Sequence, residues 1–179
     1  MNPHYWWDVV TYLLGCGMNE TAAEVGAAEG NFSRTLLLAG FRRVYLVDLW
    51  AHVPGMKGDL GKSDAAHDLT YQRCLANVGE FGDRAIILRG WSHEMAQQVP
   101  DESLDLVFID ATHEYKWVLS DLTHWYPKLK PGGVMLGHDY LTPEYTVRRA
   151  ADEFAASVGK VCSILHADSI PDASFWFQK

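Results

Sequence analysis

Short apolar runs alternate with helical patterns along most of the chain. Runs of strand length occupy residues 22–27, 44–47, 85–88, 104–110 and 134–137. Between them, apolar side chains recur at helical spacing, as at Leu36, Leu37 and Phe41. Such alternation predicts an open, mainly parallel sheet with helices on both faces.

The two ends of the chain depart from this alternation. Residues 4–14 have an apolar face of helical spacing and predict a helix before the first strand. Near the other end, strand-like runs at 160–166 and 173–177 have Pro171-Asp172 and no helical pattern between them, which predicts an antiparallel hairpin. The predicted fold is therefore α/β: a Rossmann-like, mainly parallel seven-stranded sheet, closed by this hairpin, in a single domain over residues 1–179.

The first strand, its loop and the second strand have the layout of a nucleotide-binding unit. The loop, residues 24–30, reads EVGAAEG, or E-x-G-x-x-x-G, and the second strand ends on Asp48. Gly26 is expected to permit a tight turn, and Gly30 to let the backbone approach a ligand. Asp48 can accept both hydroxyls of a ribose. An ordinary turn without a cofactor is the alternative.

The spacing of this loop differs from the G-x-G-x-x-G of dinucleotide sites, and Glu29 would repel a pyrophosphate. S-adenosylmethionine, which has a ribose, a sulfonium charge and no phosphate, suits the loop better than NAD. At these residues the sequence resembles the class I S-adenosylmethionine-dependent methyltransferases, whose first motif has this form. The cofactor-binding residues predicted from the loop and the resemblance are Glu24, Gly26, Ala28, Gly30, Asp48, Leu49, Trp50, Gly90, Trp91, Ser92 and Asp110.

Two stretches in this set are candidates for the adenine. Leu49-Trp50 follows Asp48 and could sandwich the ring, although Trp50 could equally belong to the core. Gly90-Trp91-Ser92 follows the third strand, where the resemblance implies the adenine loop. Ser92 could also be the N-cap of the next helix.

Polar residues end the fourth and fifth strands. Asp110 follows the fourth strand and His138-Asp139 the fifth, so these side chains should converge beside the cofactor, with His113 facing the same crevice. Residues 104–140 resemble a bacterial subgroup of class I methyltransferases with I-D-x-x-H-x-Y and G-H-D-Y segments. That subgroup is similar to metal-dependent O-methyltransferases acting on catechols, sugars and macrolides. The resemblance implies that Asp110, His138 and Asp139 hold a divalent cation.

The predicted catalytic residues are Asp110, His113, His138 and Asp139. The metal would be Mg, Mn, Fe or Zn; an imidazole at position 138 suits Mg poorly and the others better. Without a metal, His113 or His138 could take the acceptor's proton directly. The alternative is structural: Asp110 and His113 would cap the next helix, and Asp139 would fix the following loop.

The predicted function is S-adenosylmethionine-dependent methyl transfer to a small-molecule acceptor, at a hydroxyl oxygen. A non-catalytic S-adenosylmethionine-binding subunit is the main alternative, and an NAD-dependent reductase is disfavoured by the loop spacing. Residues 51–66 have no periodicity and are expected to form a mobile flap over the site.

Charge and composition restrict the classes of partner that the protein is expected to bind. The formal net charge is −8 and the basic residues are scattered, which argues against nucleic acid and anionic membranes. No apolar run has the length of a membrane span, and the N-terminus lacks a signal-peptide pattern, so a soluble, cytoplasmic protein is expected. The 3 cysteines are widely spaced and predict neither a disulfide framework nor a zinc site. A homo-oligomer is left open.

Overall fold

A computed structural model describes residues 5–165 and 173–179. The strands in these ranges are β1 Thr21–Val25, β2 Arg43–Asp48, β3 Ala85–Arg89, β4 Leu104–Ile109, β5 Leu129–Gly137, β6 Ser163–Leu165 and β7 Ser174–Gln178. The α-helices are α1 Trp6–Gly15, α2 Asn31–Ala39, α3 Asp64–Val78, α4 Ser92–Met95, α5 Tyr115–Trp125 and α6 Val147–Ser157. His4, His166 and the predicted Pro171-Asp172 turn lie outside the described residues.

The strands form one sheet in the order β3-β2-β1-β4-β5-β7-β6. Strands β1 to β5 pair in parallel, whereas β7 is antiparallel to both β5 and β6. The predicted fold class and the closing antiparallel hairpin are therefore confirmed. Chain order reverses at β1, between β2 and β4, which is where an open parallel sheet leaves a crevice at the carboxyl ends of its strands.

Alternation along the central strands supplies two apolar cores, one on each face of the sheet. In β4, Leu106 and Phe108 pack with α1, α2 and α3, while Val107 and Ile109 pack with α5 and α6. All six residues of β4 are buried, as the continuous apolar pattern of a central parallel strand requires. The helices thus cover both faces and leave the strand ends as the open edge.

Several predicted element boundaries are wrong. β5 begins at Leu129, ahead of the predicted run 134–137, and its pairing with β4 shifts register over residues 130–133. Glu114 is the N-cap of α5, and the amide of Tyr115 donates to Thr146 Oγ1 at 2.6 Å.

No helix in the described parts of the chain combines the length and apolar character needed to cross a bilayer.

Candidate active site

The glycine loop, residues 24–30, packs directly against the end of β4. Gly26 has φ +93°, and a Cβ atom there would lie 2.1 Å from the carbonyl oxygen of Asp110. Its amide donates to the carbonyl of Val47 at 2.8 Å, which ties the loop to β2. Gly26 is therefore needed for both its backbone conformation and its lack of a side chain. It brings the predicted cofactor loop into contact with the predicted catalytic residues.

Gly30 faces core side chains, and its predicted approach to a ligand stays a prediction. It has φ +73°, and a Cβ atom there would lie 3.0 Å from Leu46 Cδ2 and 3.1 Å from Cys74 Sγ. Both neighbours are core side chains. The structure accounts for Gly30 by the packing of the α2 N-terminus against β2 and α3.

Asp48 organises the loop from the end of β2. Its Oδ2 accepts from the Ala28 amide at 2.9 Å, and its Oδ1 accepts from the Trp50 amide at 3.0 Å. Ala28 and Trp50 both have positive φ, at 45° and 43°, so these hydrogen bonds hold strained backbone in place. Each carboxylate oxygen keeps a second lone pair, which is what a ribose hydroxyl needs.

Trp50 belongs to the core. Its side chain is 1% exposed, and its indole N–H donates to the Ala28 carbonyl at 2.8 Å from beneath the loop. The core alternative for Trp50 therefore describes its position better than the adenine sandwich. Leu49 is partly exposed at the same strand end.

Glu24 is buried in β1. Its Oε2 accepts from both the amide and the hydroxyl of Ser33, at 2.9 and 2.5 Å, which joins β1 to the first turn of α2. Burial raises the pKa of Glu24 to about 8, although the bonds from Ser33 oppose the shift. Ser33 was missed from sequence, and its place three residues after Gly30 was the available signal.

The predicted adenine loop is held by α5. The Gly90 amide donates to the Asp48 carbonyl at 3.0 Å, and the ring of Trp91 stacks on Trp117 with centroids 5.6 Å apart. Ser92 is the first residue of α4, and its hydroxyl accepts from the Trp125 indole at 2.8 Å. The predicted N-cap role of Ser92 is therefore wrong.

Ser92 also hydrogen-bonds Asp121, and burial raises the pKa of that carboxyl to about 7. Trp117, Asp121 and Trp125 were missed as supports of this loop. Their spacing of four residues places them on one face of α5 and was a usable signal.

Four polar side chains converge where β4 and β5 end. His113 Nε2 lies 2.9 Å from Asp139 Oδ2 and 3.7 Å from Asp110 Oδ1. His138 Nδ1 lies 3.3 Å from Asp139 Oδ2 and 4.0 Å from Asp110 Oδ1. The strand ends thus bring together all four predicted catalytic residues.

Main-chain bonds at the strand ends position this cluster. The Asp110 amide donates to the carbonyl of Val25 at 2.8 Å, and the His138 amide donates to the carbonyl of Ile109 at 3.0 Å. Asp139 has φ +56°, and its Oδ1 accepts from the Thr142 hydroxyl at 2.9 Å. Asp139 therefore fixes the following loop, as one alternative proposed, and also faces the two histidines. The capping alternative for Asp110 and His113 is wrong, because Glu114 is the N-cap of α5.

The cluster couples charges of opposite sign. Burial by itself lowers the pKa of His113, but pairing with Asp110 and Asp139 outweighs it and raises the value to about 9. For Asp139, burial raises the pKa, and contacts with His113, His138 and Thr142 reverse this and hold it far below its usual range. Asp139 is thus an anion at any physiological pH.

Comparison with known proteins assigns a family to this architecture. Residues 23–140, more than half of the chain, match the family described as "Methyltransferase domain". The chain belongs to this methyltransferase family. The matched range begins in β1 and ends just after the cluster, so it contains every predicted site residue.

Two curated relatives are similar to this methyltransferase. The mycinamicin III 3''-O-methyltransferase of Micromonospora griseorubida is 28% identical over 179 residues, which cover 89% of this chain and 69% of that protein. The uncharacterized protein y4gI of Sinorhizobium fredii is 35% identical over 69 residues, which are 38% of this chain and 8% of that protein.

Solved structures support the fold. The O-methyltransferase NovP superposes with a TM-score of 0.71 at 22% identity, covering 96% of this chain and 76% of that chain. An O-methyltransferase from Bacillus cereus in complex with SAH superposes with a TM-score of 0.69 at 16% identity, covering 96% of this chain and 79% of that chain. The prediction of a class I methyltransferase is confirmed, and S-adenosylmethionine is the cofactor that this family supports.

The residues of the methyltransferase fit a divalent cation, with a change in the predicted ligand set. Among the described residues, one group of three offers ligand atoms within 4.8 Å of one another, and it consists of Asp110, His113 and Asp139. His113 Nε2 in this group is buried without an aligned hydrogen-bond partner. A divalent cation there would displace the proton that the raised pKa keeps on the His113 ring, and Nε2 would then bind it together with the two carboxylates. The geometry favours His113 over the predicted His138.

Proposed function

We propose that the chain is an S-adenosylmethionine-dependent O-methyltransferase that acts on a hydroxyl group of a small molecule, with a divalent cation held by Asp110, His113 and Asp139. One observation carries the proposal. The three side chains meet at the carboxyl ends of β4 and β5, where ligands of open parallel sheets bind, and His113 Nε2 has no aligned partner there.

The cofactor half of the proposal rests on the contact between Gly26 and Asp110. Because the glycine loop touches the backbone of Asp110, a ligand cradled by the loop would lie next to the cluster. Asp48 is then placed to accept the ribose hydroxyls at the far side of the loop.

The acceptor half rests on the chemistry of the cluster. Methyl transfer requires the hydroxyl to lie in line with the methyl carbon and to lose its proton. A bound divalent cation would lower the pKa of that hydroxyl. His138 contacts Asp139 but lies outside the three-residue group, so we assign it as the general base. Asp139 would orient its ring.

The curated relative that methylates an oxygen supports transfer to oxygen here, since it aligns with 89% of this chain. A non-catalytic S-adenosylmethionine-binding subunit is the second candidate. It would need the loop and Asp48 but would have no use for a histidine and two carboxylates at the strand ends. An NAD-dependent reductase is disfavoured by the family to which the chain belongs.

The test is a screen of hydroxylated acceptors for release of S-adenosylhomocysteine, run after exhaustive chelation and again with Mg, Mn, Fe or Zn restored. We expect turnover with at least one acceptor, its loss in chelator, and its return with a divalent ion. Undiminished turnover in chelator would dismiss the metal and leave the histidines as the catalytic groups. Tight cofactor binding with no turnover on any acceptor would favour the binding subunit.

A further inference from the structure

The segment between β5 and α6, residues 140–146, is tied at both ends to the cluster. Near its start, the Thr142 hydroxyl donates to Asp139 Oδ1 at 2.9 Å. At its end, the Thr146 amide donates to the His113 carbonyl at 3.1 Å, and Thr146 Oγ1 accepts from the amide of Tyr115. These bonds involve backbone groups and threonine hydroxyls, and none of them uses the side chain of Tyr145.

One side chain of this segment, Tyr145, lies on the imidazole of His113. The ring centroids are 4.1 Å apart and the planes differ by 11°, which is a face-to-face stack. Tyr145 is nevertheless 41% exposed. An aromatic ring that remains this exposed contributes little to the core, and its close contact with the imidazole calls for an explanation other than burial.

His113 needs such a contact because little else sets the tilt of its ring. The torsion that rotates a histidine ring has broad minima. Nε2 has no aligned hydrogen bond, and attraction to the carboxylates of Asp110 and Asp139 depends on distance more than on direction. Stacking restrains the orientation of the ring plane itself.

We propose that Tyr145 is a positioning residue, whose ring holds the imidazole of His113 so that Nε2 faces Asp110 and Asp139. The inference rests on the proposed function for its catalytic meaning, but the stack itself can be measured without turnover. Removing the tyrosine ring should free the His113 ring and leave the Thr142 and Thr146 bonds intact. The phenol oxygen has no part in this role, so phenylalanine should replace tyrosine.

The first test uses proton NMR of the histidine rings, with the His113 signals assigned from their absence in His113→Gln. The ring current of Tyr145 should shift these signals upfield in the wild type. We expect the shift to vanish in Tyr145→Ala and to persist in Tyr145→Phe. Tyr5→Ala, which removes a tyrosine of similar exposure, 45%, on the chain before α1, is the matched control. An unchanged His113 spectrum in Tyr145→Ala would overturn the inference.

The second test titrates Mn²⁺ alone into the same variants. We expect Tyr145→Ala to weaken Mn²⁺ binding about three- to tenfold, with Tyr145→Phe and Tyr5→Ala near the wild type. Equal affinity in Tyr145→Ala and wild type would overturn the positioning role, as would a failure of phenylalanine to restore it. If the wild type binds no Mn²⁺ while the ring shifts behave as expected, the metal assignment fails and the role of Tyr145 in orienting His113 is supported.

Discussion

The acidic side chains in the two halves of the site have different kinds of partner. Around the glycine loop, Glu24 accepts hydrogen bonds from Ser33, and Asp48 accepts them from the amides at positions 28 and 50. At the ends of β4 and β5, two carboxylates instead face two histidines, and one imidazole nitrogen is buried without an aligned partner. In the folded protein the acidic groups of the first half have their hydrogen bonds, whereas the second half retains a nitrogen without an aligned partner.

This difference shows what each half contributes. Buried polar groups are normally satisfied, so a satisfied set can be a scaffold that presents a ligand site without changing. An incomplete set retains charge and coordination capacity for something that arrives later. The glycine loop is accordingly the rigid support for the cofactor, and the cluster is where chemistry is to be expected. Variants that disrupt one half of the site should therefore leave the other half unaffected.

The largest effect should come from Asp139→Asn. The amide oxygen can still accept the Thr142 hydrogen bond, but the negative charge facing His113 and His138 is lost. We expect turnover to fall about 100-fold or more. Affinity for S-adenosylmethionine should change less than about twofold, because no loop contact is touched. Asp101→Asn, on a 67%-exposed side chain paired with Lys128, is the control. Full turnover in Asp139→Asn would remove the cluster from the mechanism.

The converse variant, Asp48→Ala, should damage binding and leave chemistry intact. It removes the acceptors of the Ala28 and Trp50 amides as well as those offered to a ribose. We expect cofactor binding to weaken by about 2–4 kcal/mol, measured by calorimetry. With saturating cofactor, turnover should return to near the wild-type value. Equal affinity in variant and wild type would show that Asp48 does not contact the cofactor.

A smaller effect is expected from pH acting on Glu24. Its pKa is raised by burial from about 4.5 in the unfolded chain to about 8 in the folded protein. The folded state therefore holds a proton that unfolding releases, and this contribution to stability is complete below pH 4.5 and is lost as pH rises toward 8.

Glu24→Gln is neutral and can still accept from Ser33. We expect the difference in unfolding free energy between variant and wild type to grow in favour of the variant by roughly 1–3 kcal/mol between pH 5 and pH 8. Denaturant melts at several pH values measure it, with Glu29→Gln as the control on a partly exposed carboxylate of the same loop. Parallel stability profiles for the Glu24 variant and wild type would mean that Glu24 is ionised in the folded protein.

The sequence was sufficient for the parts of the molecule that local patterns determine. Short apolar runs located the strands and helical spacing located the helices, and the acids that end β2, β4 and β5 placed the site at one edge of the sheet. These signals were reliable because the carboxyl ends of parallel strands lie at the same edge of a sheet, whatever the conformation of the loops. The positions of Asp48, Asp110 and Asp139 followed from this alone.

Contacts between residues far apart in the sequence could not be predicted from the hydrophobic pattern. The amide of Tyr115 is satisfied by Thr146, which lies 31 residues away, so no local motif could show where α5 begins. Gly30 is explained by Cys74, on another helix. The choice between His113 and His138 as a ligand depends on side-chain directions after a loop. Each of these outcomes is set by tertiary packing.

The smallest expected effect concerns the segment that leaves the cofactor half after Trp50. Every residue from 51 to 66 is exposed or partly exposed, in contrast to the glycine loop, where 4 of the 7 residues are buried. The segment is held by few bonds, among them Val53 N–H to the Leu60 carbonyl at 2.8 Å and His52 N–H to Asp64 Oδ1 at 3.2 Å. Segments with few buried contacts open at low free-energy cost.

Residues 64–66, predicted as part of the flap, belong to α3. We therefore expect fast hydrogen exchange at 51–63 in the free protein and slow exchange in the amides of the glycine loop. Cofactor and acceptor together should slow exchange in the segment about tenfold, because closure over a bound substrate excludes water. Cofactor alone should protect the glycine loop more than the segment. Slow exchange at 51–63 before any ligand is added would make this segment part of the rigid support, and the contrast between a satisfied scaffold and a responsive half would then rest on the cluster alone.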